Sequence, residues 1–364
     1  MKYYYILFIF TCLSCSFNEK KSALEKLKEV NNIEVNGSVL QNDSIIWSSQ
    51  LVDLIDNRLI IQNFSTDYAF SVFHIENDKV IKENDLIQNG NGPYEMIYPV
   101  YFADKAAQCI YFYDVNGVKI NMYKIDIYPF SNLYQKQNWH NINIPSPKNY
   151  FWSTNGAFAT MRDSSCILLG GSLFKTNMLS LVTPDKRIID TDIIFPKDKC
   201  DAEPIIKRQV YNNGGIKKKA TGNQFLYYCL SGNYAEIISF DDANKVTRKV
   251  IVNDLPIYTI TKDGINPIGT DTNLRGLKAY TTNNYIYIMP YPLRRKDFIG
   301  KDDYKGYPTY YNNELYVFNW NGDFVKSYTF DKLIDTFVVP EDDSCIFGVT
   351  IDSNNDYRII KFIL

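Results

Sequence analysis

Apolar positions along this chain fall into short runs of strand length, and long helical stripes are absent after residue 30. Six times an apolar strand, a tight polar turn and a second apolar strand follow one another, at 50–64, 98–114, 156–171, 216–230, 276–290 and 335–349. The starts of these units lie 48, 58, 60, 60 and 59 residues apart. A third strand follows each pair, at 70–75, 119–125, 177–182, 234–240, 314–319 and 357–363. A fourth follows at 79–86, 188–194, 247–252 and 324–330, and in the second unit it is blurred within 130–144. The turns carry hairpin chemistry, such as Asp-Asn, Thr-Gly-Asn and Asn-Gly-Asp. Four antiparallel strands at this period predict an all-β fold, a six-bladed β-propeller, since one blade cannot bury its faces without neighbours. The sixth unit has three strands, and 33–40 precedes the first without a place in it. That segment is expected to supply the missing outer strand, closing the ring and removing its open edge.

The N-terminus follows a different pattern. Met1 and Lys2 precede an apolar run over 3–10, and Thr11-Cys12-Leu13-Ser14 then leads into Cys15. The run is too short to span a bilayer, which takes roughly 20 residues. A small residue directly before a cysteine is a lipobox, although Cys12 stands where that pattern prefers Leu. The expected organisation is a lipoprotein signal peptide over 1–14, a lipid-bearing Cys15 with a polar tether to residue 30 that has room for one helical turn or two, and one propeller over 31–364.

Composition adds to this picture. The 29 Tyr and 22 Phe suit pleated, half-buried surfaces. The net charge of −2, or −3 once a signal carrying only Lys2 is removed, gives no basic stripe for nucleic acid. The short basic run Lys217, Lys218 and Lys219 reads as solvated strand or loop positions. Five cysteines follow the anchor. Cys109, Cys166 and Cys345 each open a second strand and are followed by Ile, which separates them around the ring and argues against bridges. Cys200 lies in a loop.

The chain resembles the TolB-like six-bladed propeller lipoproteins of Bacteroidetes. The resemblance rests on the lipobox, on Asn89-Gly90-Asn91-Gly92-Pro93-Tyr94-Glu95, which looks like that family's Gly-x-Gly-Pro-x-Glu turn, and on 315–349, which looks like its last-blade pattern. It implies an extracytoplasmic location and a fold rather than an activity.

Candidate chemistry is sparse. His74 and His140 are isolated from each other, and no nucleophile elbow, phosphate loop or Cys-x-x-Cys pair occurs, so no catalytic residue, metal or cofactor is assigned. Gly90, Gly92, Pro93 and Glu95 read as a structural inter-blade turn, with glycine supplying positive φ and Glu95 capping amides. Asp352, Asn354 and Asp356 alternate like calcium ligands but lack the glycine and distant glutamate of a calcium loop, and read as a polar turn. In a propeller, connections between blades share one face with the loops joining second and third strands. The long segments 195–215, 253–275 and 291–313 all belong to that face, where insertions mark binding. Within 291–313, Tyr291, Arg294, Arg295, Tyr307, Tyr310 and Tyr311 form the candidate binding set, expected at one mouth of the ring near Gly92. The expected function is a membrane-anchored binding or scaffold module for an envelope protein or glycan. The alternative is a propeller hydrolase or lyase with an Asp, Glu, Tyr and Arg site at the pore mouth.

Overall fold

The computed structural model describes residues 22–64, 66–116, 119–145, 149–152, 158–161, 165–172, 174–241, 245–260, 276–291 and 311–364. Cys15, Arg294, Arg295, Tyr307 and Tyr310 lie outside them. Six small antiparallel sheets form the blades of a ring. Blade one comprises Gln50–Ile55, Arg58–Gln62, Tyr68–Glu76 and Lys79–Asn89, from the axis outward. Blade two has Val100–Asp104, Cys109–Asn116, Lys119–Asp126 and His140–Pro145, the last preceded by two 3₁₀ turns within the stretch that the sequence leaves blurred. Blade three has Phe158–Thr160, Cys166–Ser172, Leu179–Val182 and Ile188–Asp190, and Tyr150–Trp152 also pairs with its second strand. Blade four runs through Gly214–Lys218, Gln224–Cys229, Asn233–Phe240 and Val246–Asp254. Blade five runs through Leu277–Thr281, Tyr285–Pro290, Asn312–Asn319 and Phe324–Ile334.

Blade six contributes Phe337–Val338, Cys345–Ile351 and Tyr357–Ile363, and takes its outer strand from the N-terminal segment. Closure differs in detail from a single strand over 33–40. Asn32–Val35 first pairs in parallel with Phe324–Ile334 of blade five. Gly37–Val39 then pairs antiparallel with Tyr357–Ile363 and completes blade six. Gln41–Asn42 finally pairs in parallel with Lys79–Asn89 of blade one. The outer edges of adjacent blades diverge, so one straight strand cannot serve two of them. The segment breaks at Asn36 and again at Leu40 to follow the rim. At Gly37 a Cβ would stand 2.5 Å from both Ile360 Cδ1 and Phe362 Cε1, so only glycine permits this approach.

Second strands are buried on both faces because neighbouring blades pack against each side. Leu59, Ile60 and Ile61 are fully buried in sequence, which explains their unbroken apolar run. Phe330 of blade five stacks on Phe362 of blade six with ring centroids 4.2 Å apart. Cys109, Cys166 and Cys345 each begin the second strand of a blade, and all five described cysteines are free thiols. Cys200 donates from Sγ to the Tyr258 carbonyl at 3.0 Å.

Two helices stand outside the blades, the first where the tether has room for a helical turn or two and the second in a segment that reads as a loop. Ala23–Lys28 (α1) starts on a capping box, Ser22 and Glu25 each bonding the other's backbone amide. It docks on blades four and five: Leu24 is 3% exposed in the core with Ile237 and Tyr316, and Lys28 pairs with Glu314 at 2.6 Å. The expected polar tether is therefore folded in its second half. Pro204–Tyr211 (α2), with proline at its first turn, lies within 195–215 and buries Ile206, Val210 and Tyr211. No helix among the described residues is long and apolar enough to cross a membrane.

Removing the Leu24 side chain opens a cavity between α1 and the blades. Leu24→Ala should destabilise the protein by about 2–3 kcal/mol in urea unfolding, whereas a floating tether would leave stability unchanged. Gly37→Val should force apart the closing pair and cost about 1–3 kcal/mol by the same measurement.

Candidate functional site

First strands of the blades line the ring axis, so whatever polar residues they carry meet there. A cavity of about 920 Å³ lies along the axis, walled by blades one, two, four, five and six. Its deeper part is organised by Asp53 of blade one, which is 4% exposed. Tyr101 of blade two donates to Asp53 Oδ2 at 2.8 Å, and Tyr280 of blade five donates to Oδ1 at 2.5 Å. Burial, reinforced by the adjacent carboxylate, pushes both phenols well above the ordinary tyrosine range, so they stay protonated donors. Lys105, at the first turn of blade two, donates to Tyr280 Oη at 2.9 Å and to Glu341 of blade six at 2.6 Å. Its Nζ is 3.7 Å from Asp53. Burial works against its charge, but Tyr280, Asp53 and Glu341 outweigh it and hold the ammonium above its usual pKa. The bonds of Tyr280 to Asp53 and of Lys105 to Tyr280 and Glu341 join blades that are not neighbours and span the axis where the first turns converge.

Two more ion pairs bind the inner strands. Lys218 of blade four reaches Asp104 of blade two at 2.7 Å, with Thr160 of blade three donating to the same carboxylate. Burial would raise the Asp104 pKa, yet the Lys218 and Thr160 hydrogen bonds win and hold it below the usual value. Lys278 of blade five pairs with Asp335, which also receives the Ser49 hydroxyl. The basic run that reads as solvated in the sequence is thus largely axial: Lys217, Lys218 and Lys219 all border the cavity. Inner-strand position overrides the usual preference of lysine for bulk water, and for Lys218 the Asp104 carboxylate takes the place of that water.

The mouth lies on the face of the long connections. Phe64 and Tyr98 border the cavity there and are 69% and 72% exposed, beside Asn63 and Asn89. Tyr291 borders the same cavity as Asn89, the residue that begins the 89–95 turn, but is only 1% exposed, and its hydroxyl donates to the Asp335 carbonyl. It builds the wall rather than offering a free ring. Tyr311 is half-buried and does not border the cavity. In the 89–95 turn, Glu95 accepts from the Gly92 amide at 2.7 Å. The positive φ belongs to Tyr94, at 64°, and not to the glycines. Gly90 and Gly92 are required because a Cβ on either would collide with the Glu95 carboxylate. His74 lies 3.7 Å from Glu76 on blade one, and His140 is exposed at the start of the outer strand of blade two. Asp352 accepts the Asn354 and Asp356 amides and the Arg358 guanidinium, which makes that loop an ion-paired turn.

Asp53, Tyr101, Lys105 and Tyr280 escape sequence reasoning because none sits in a motif. The available signal was positional: ionisable residues within or just after the first strand of several repeats.

The chain is a six-bladed β-propeller with a cavity along its axis. The family model described as TolB-like 6-blade propeller-like matches residues 34–342, and the chain belongs to this family. No curated protein matches the chain. Among solved structures, a member of the DUF4221 family from Bacteroides vulgatus is similar over 90% of this chain and 95% of its own, with 14% identity and a TM-score of 0.55. A protein of unknown function from Bacteroides thetaiotaomicron is 9% identical, covering 90% and 76%, with a TM-score of 0.46. The PQQ-bound aldose sugar dehydrogenase of Streptomyces coelicolor is 10% identical, covering 90% and 97%, with a TM-score of 0.44. The first of these shares the fold, and nothing further is drawn from the other two.

The Asp104–Lys218 pair offers a direct check on the axial network. Lys218→Met strands a buried carboxylate and should cost about 3–5 kcal/mol near neutral pH. Adding Asp104→Asn should recover much of that loss. Because the folded-state pKa is depressed, the pair's contribution is complete above the unfolded value of about 4 and fades as pH falls through the folded one. Urea unfolding across pH 2–7 should therefore show the Lys218→Met penalty shrinking on the acid side.

Proposed function

We propose that this protein is a lipid-anchored binding module of the cell envelope, which takes part of a glycan or protein partner into its axial cavity through the long-loop mouth. The observation that carries the reading is the state of the cavity's carboxylates. Asp53 is held by two phenols and Glu341 by Lys105, so both carboxylates serve as fixed members of the wall. A wall of locked ion pairs and tyrosines is rigid and pre-organised, which suits binding more than hydrolysis. Phe64 and Tyr98 at the mouth provide the exposed aromatic area that anchors ligands. The membrane association rests on the lipobox alone.

Two measurements test this. The double variant Phe64→Ala, Tyr98→Ala should retain its melting temperature, because both side chains are exposed, and should lose roughly tenfold in affinity for ligands captured from envelope glycan and protein fractions. Capture equal to the wild type would refute the axial mouth as the working surface. Cys15→Ala should move the protein from the membrane fraction to the soluble one and change its N-terminal mass; unchanged fractionation would refute the anchor.

A further inference from the structure

Five lysines border the axial cavity, and four have protein partners. Lys105 has Glu341 and Asp53, Lys218 has Asp104, and Lys278 has Asp335. Lys219 Nζ reaches Gln224 Oε1 at 3.2 Å. Lys217 differs from these. Among the described residues, no carboxylate stands within 4.0 Å of its ammonium group and no acceptor within 3.5 Å. Its recorded contact is the Tyr280 ring, 5.8 Å from Nζ to the centroid. A surface lysine needs no partner because bulk water solvates it, but Lys217 is half-buried in the innermost strand of blade four. Side-chain alternation turns Lys218 towards Asp104 and Thr160, and sends Lys217 to the opposite face of that strand. Burial depresses the Lys217 pKa, Lys105 adds to the effect and Asp53 opposes it. The site is short of one negative charge.

The rest of the lining describes what should accompany that charge. Gln50, Gln62, Asn63 and Asn89 border the cavity, and each side-chain NH₂ is committed to the protein. Gln62 donates to the Pro99 carbonyl at 3.0 Å, Asn63 to Ser71 at 2.9 Å, Asn89 to the Thr66 carbonyl at 2.6 Å and Gln50 to Asp335 at 3.0 Å. Those bonds fix the amides and leave their side-chain oxygens as acceptors. Fixed acceptors repel an anion but welcome hydroxyl donors. No described arginine borders the cavity, so the bidentate recognition that favours phosphate is missing. A ligand complementary to this wall carries one carboxylate and several hydroxyl groups, and has a face that lies against tyrosine rings.

We propose that the axial cavity is an acidic-saccharide site, in which Lys217 pairs with the carboxylate of a uronic-acid-type sugar and the amide oxygens accept its hydroxyl hydrogens. This rests on the binding reading above and adds the chemical class of the ligand. Calorimetric titration with glucuronate-, galacturonate- and mannuronate-containing disaccharides, their methyl esters, neutral disaccharides and a short peptide with a free C-terminus tests it. At least one acidic disaccharide should bind about tenfold or more tightly than its uncharged methyl ester. Lys217→Met should abolish that preference with an unchanged fold by circular dichroism, and Lys217→Arg should keep it. Equal binding of acid and ester, a preference that survives Lys217→Met, binding of the peptide alone, or binding of no acidic sugar overturns the assignment. Neutral sugars that bind wild type, but not the Phe64→Ala, Tyr98→Ala variant, would leave the binding reading standing while removing the acid.

Discussion

Closure by the segment 32–42 is the constraint on which the remaining architecture depends. Each blade is stable only between two neighbours, so an open ring would expose one outer edge and two blade faces at once. The segment prevents this by pairing in turn with blades five, six and one, linking residues near the start of the chain to Ser327, Phe362 and Lys79. The contacts with blades five and six span most of the sequence, yet closure entropy grows only logarithmically with length, by about 0.6 kcal/mol per doubling. The cost lies in timing rather than in stability, since these pairings can form only after the blades they join.

A closed ring also dictates what the axis must be. First strands converge there but cannot pack against one another, so polar side chains line the space between them. Asp53, Tyr101, Tyr280, Lys105 and Glu341 settle that space by bonding between blades that share no sheet. The polar network thus serves as both brace and cavity lining. A buried network of this kind is tolerable only when every member is satisfied, which makes the unpartnered Lys217 informative rather than incidental.

Much of the fold was legible in the sequence. The repeated hairpins near 60-residue spacing fixed the blade count, and three cysteines opening second strands marked equivalent positions. The 89–95 turn was placed correctly between blades one and two, but for another reason than the structure shows: Gly90 and Gly92 make room for Glu95, while Tyr94 adopts the positive φ. The axial site was not legible. Lys217 and Lys218 lie in one short strand, and periodicity does not say that this strand faces the axial cavity instead of the outer surface. Tyr291 borders the cavity as the sequence suggests, but how deeply its ring is buried there is not written in the sequence, because proximity to a mouth and access to it are separate properties. The helix α2 is only eight residues long and begins at a proline, too short to impose a period on a loop.

Helix α1 has a further consequence through its place on the flank of blades four and five. If Cys15 carries the lipid, as proposed, Ser22, where the docked part begins, lies only seven positions after it. A fully extended chain of that length reaches about 25 Å, against roughly twice as far for a leash running to residue 30. The propeller would then be moored at the flank of blades four and five rather than at either mouth, and neither opening of its axis would be covered by its own anchor.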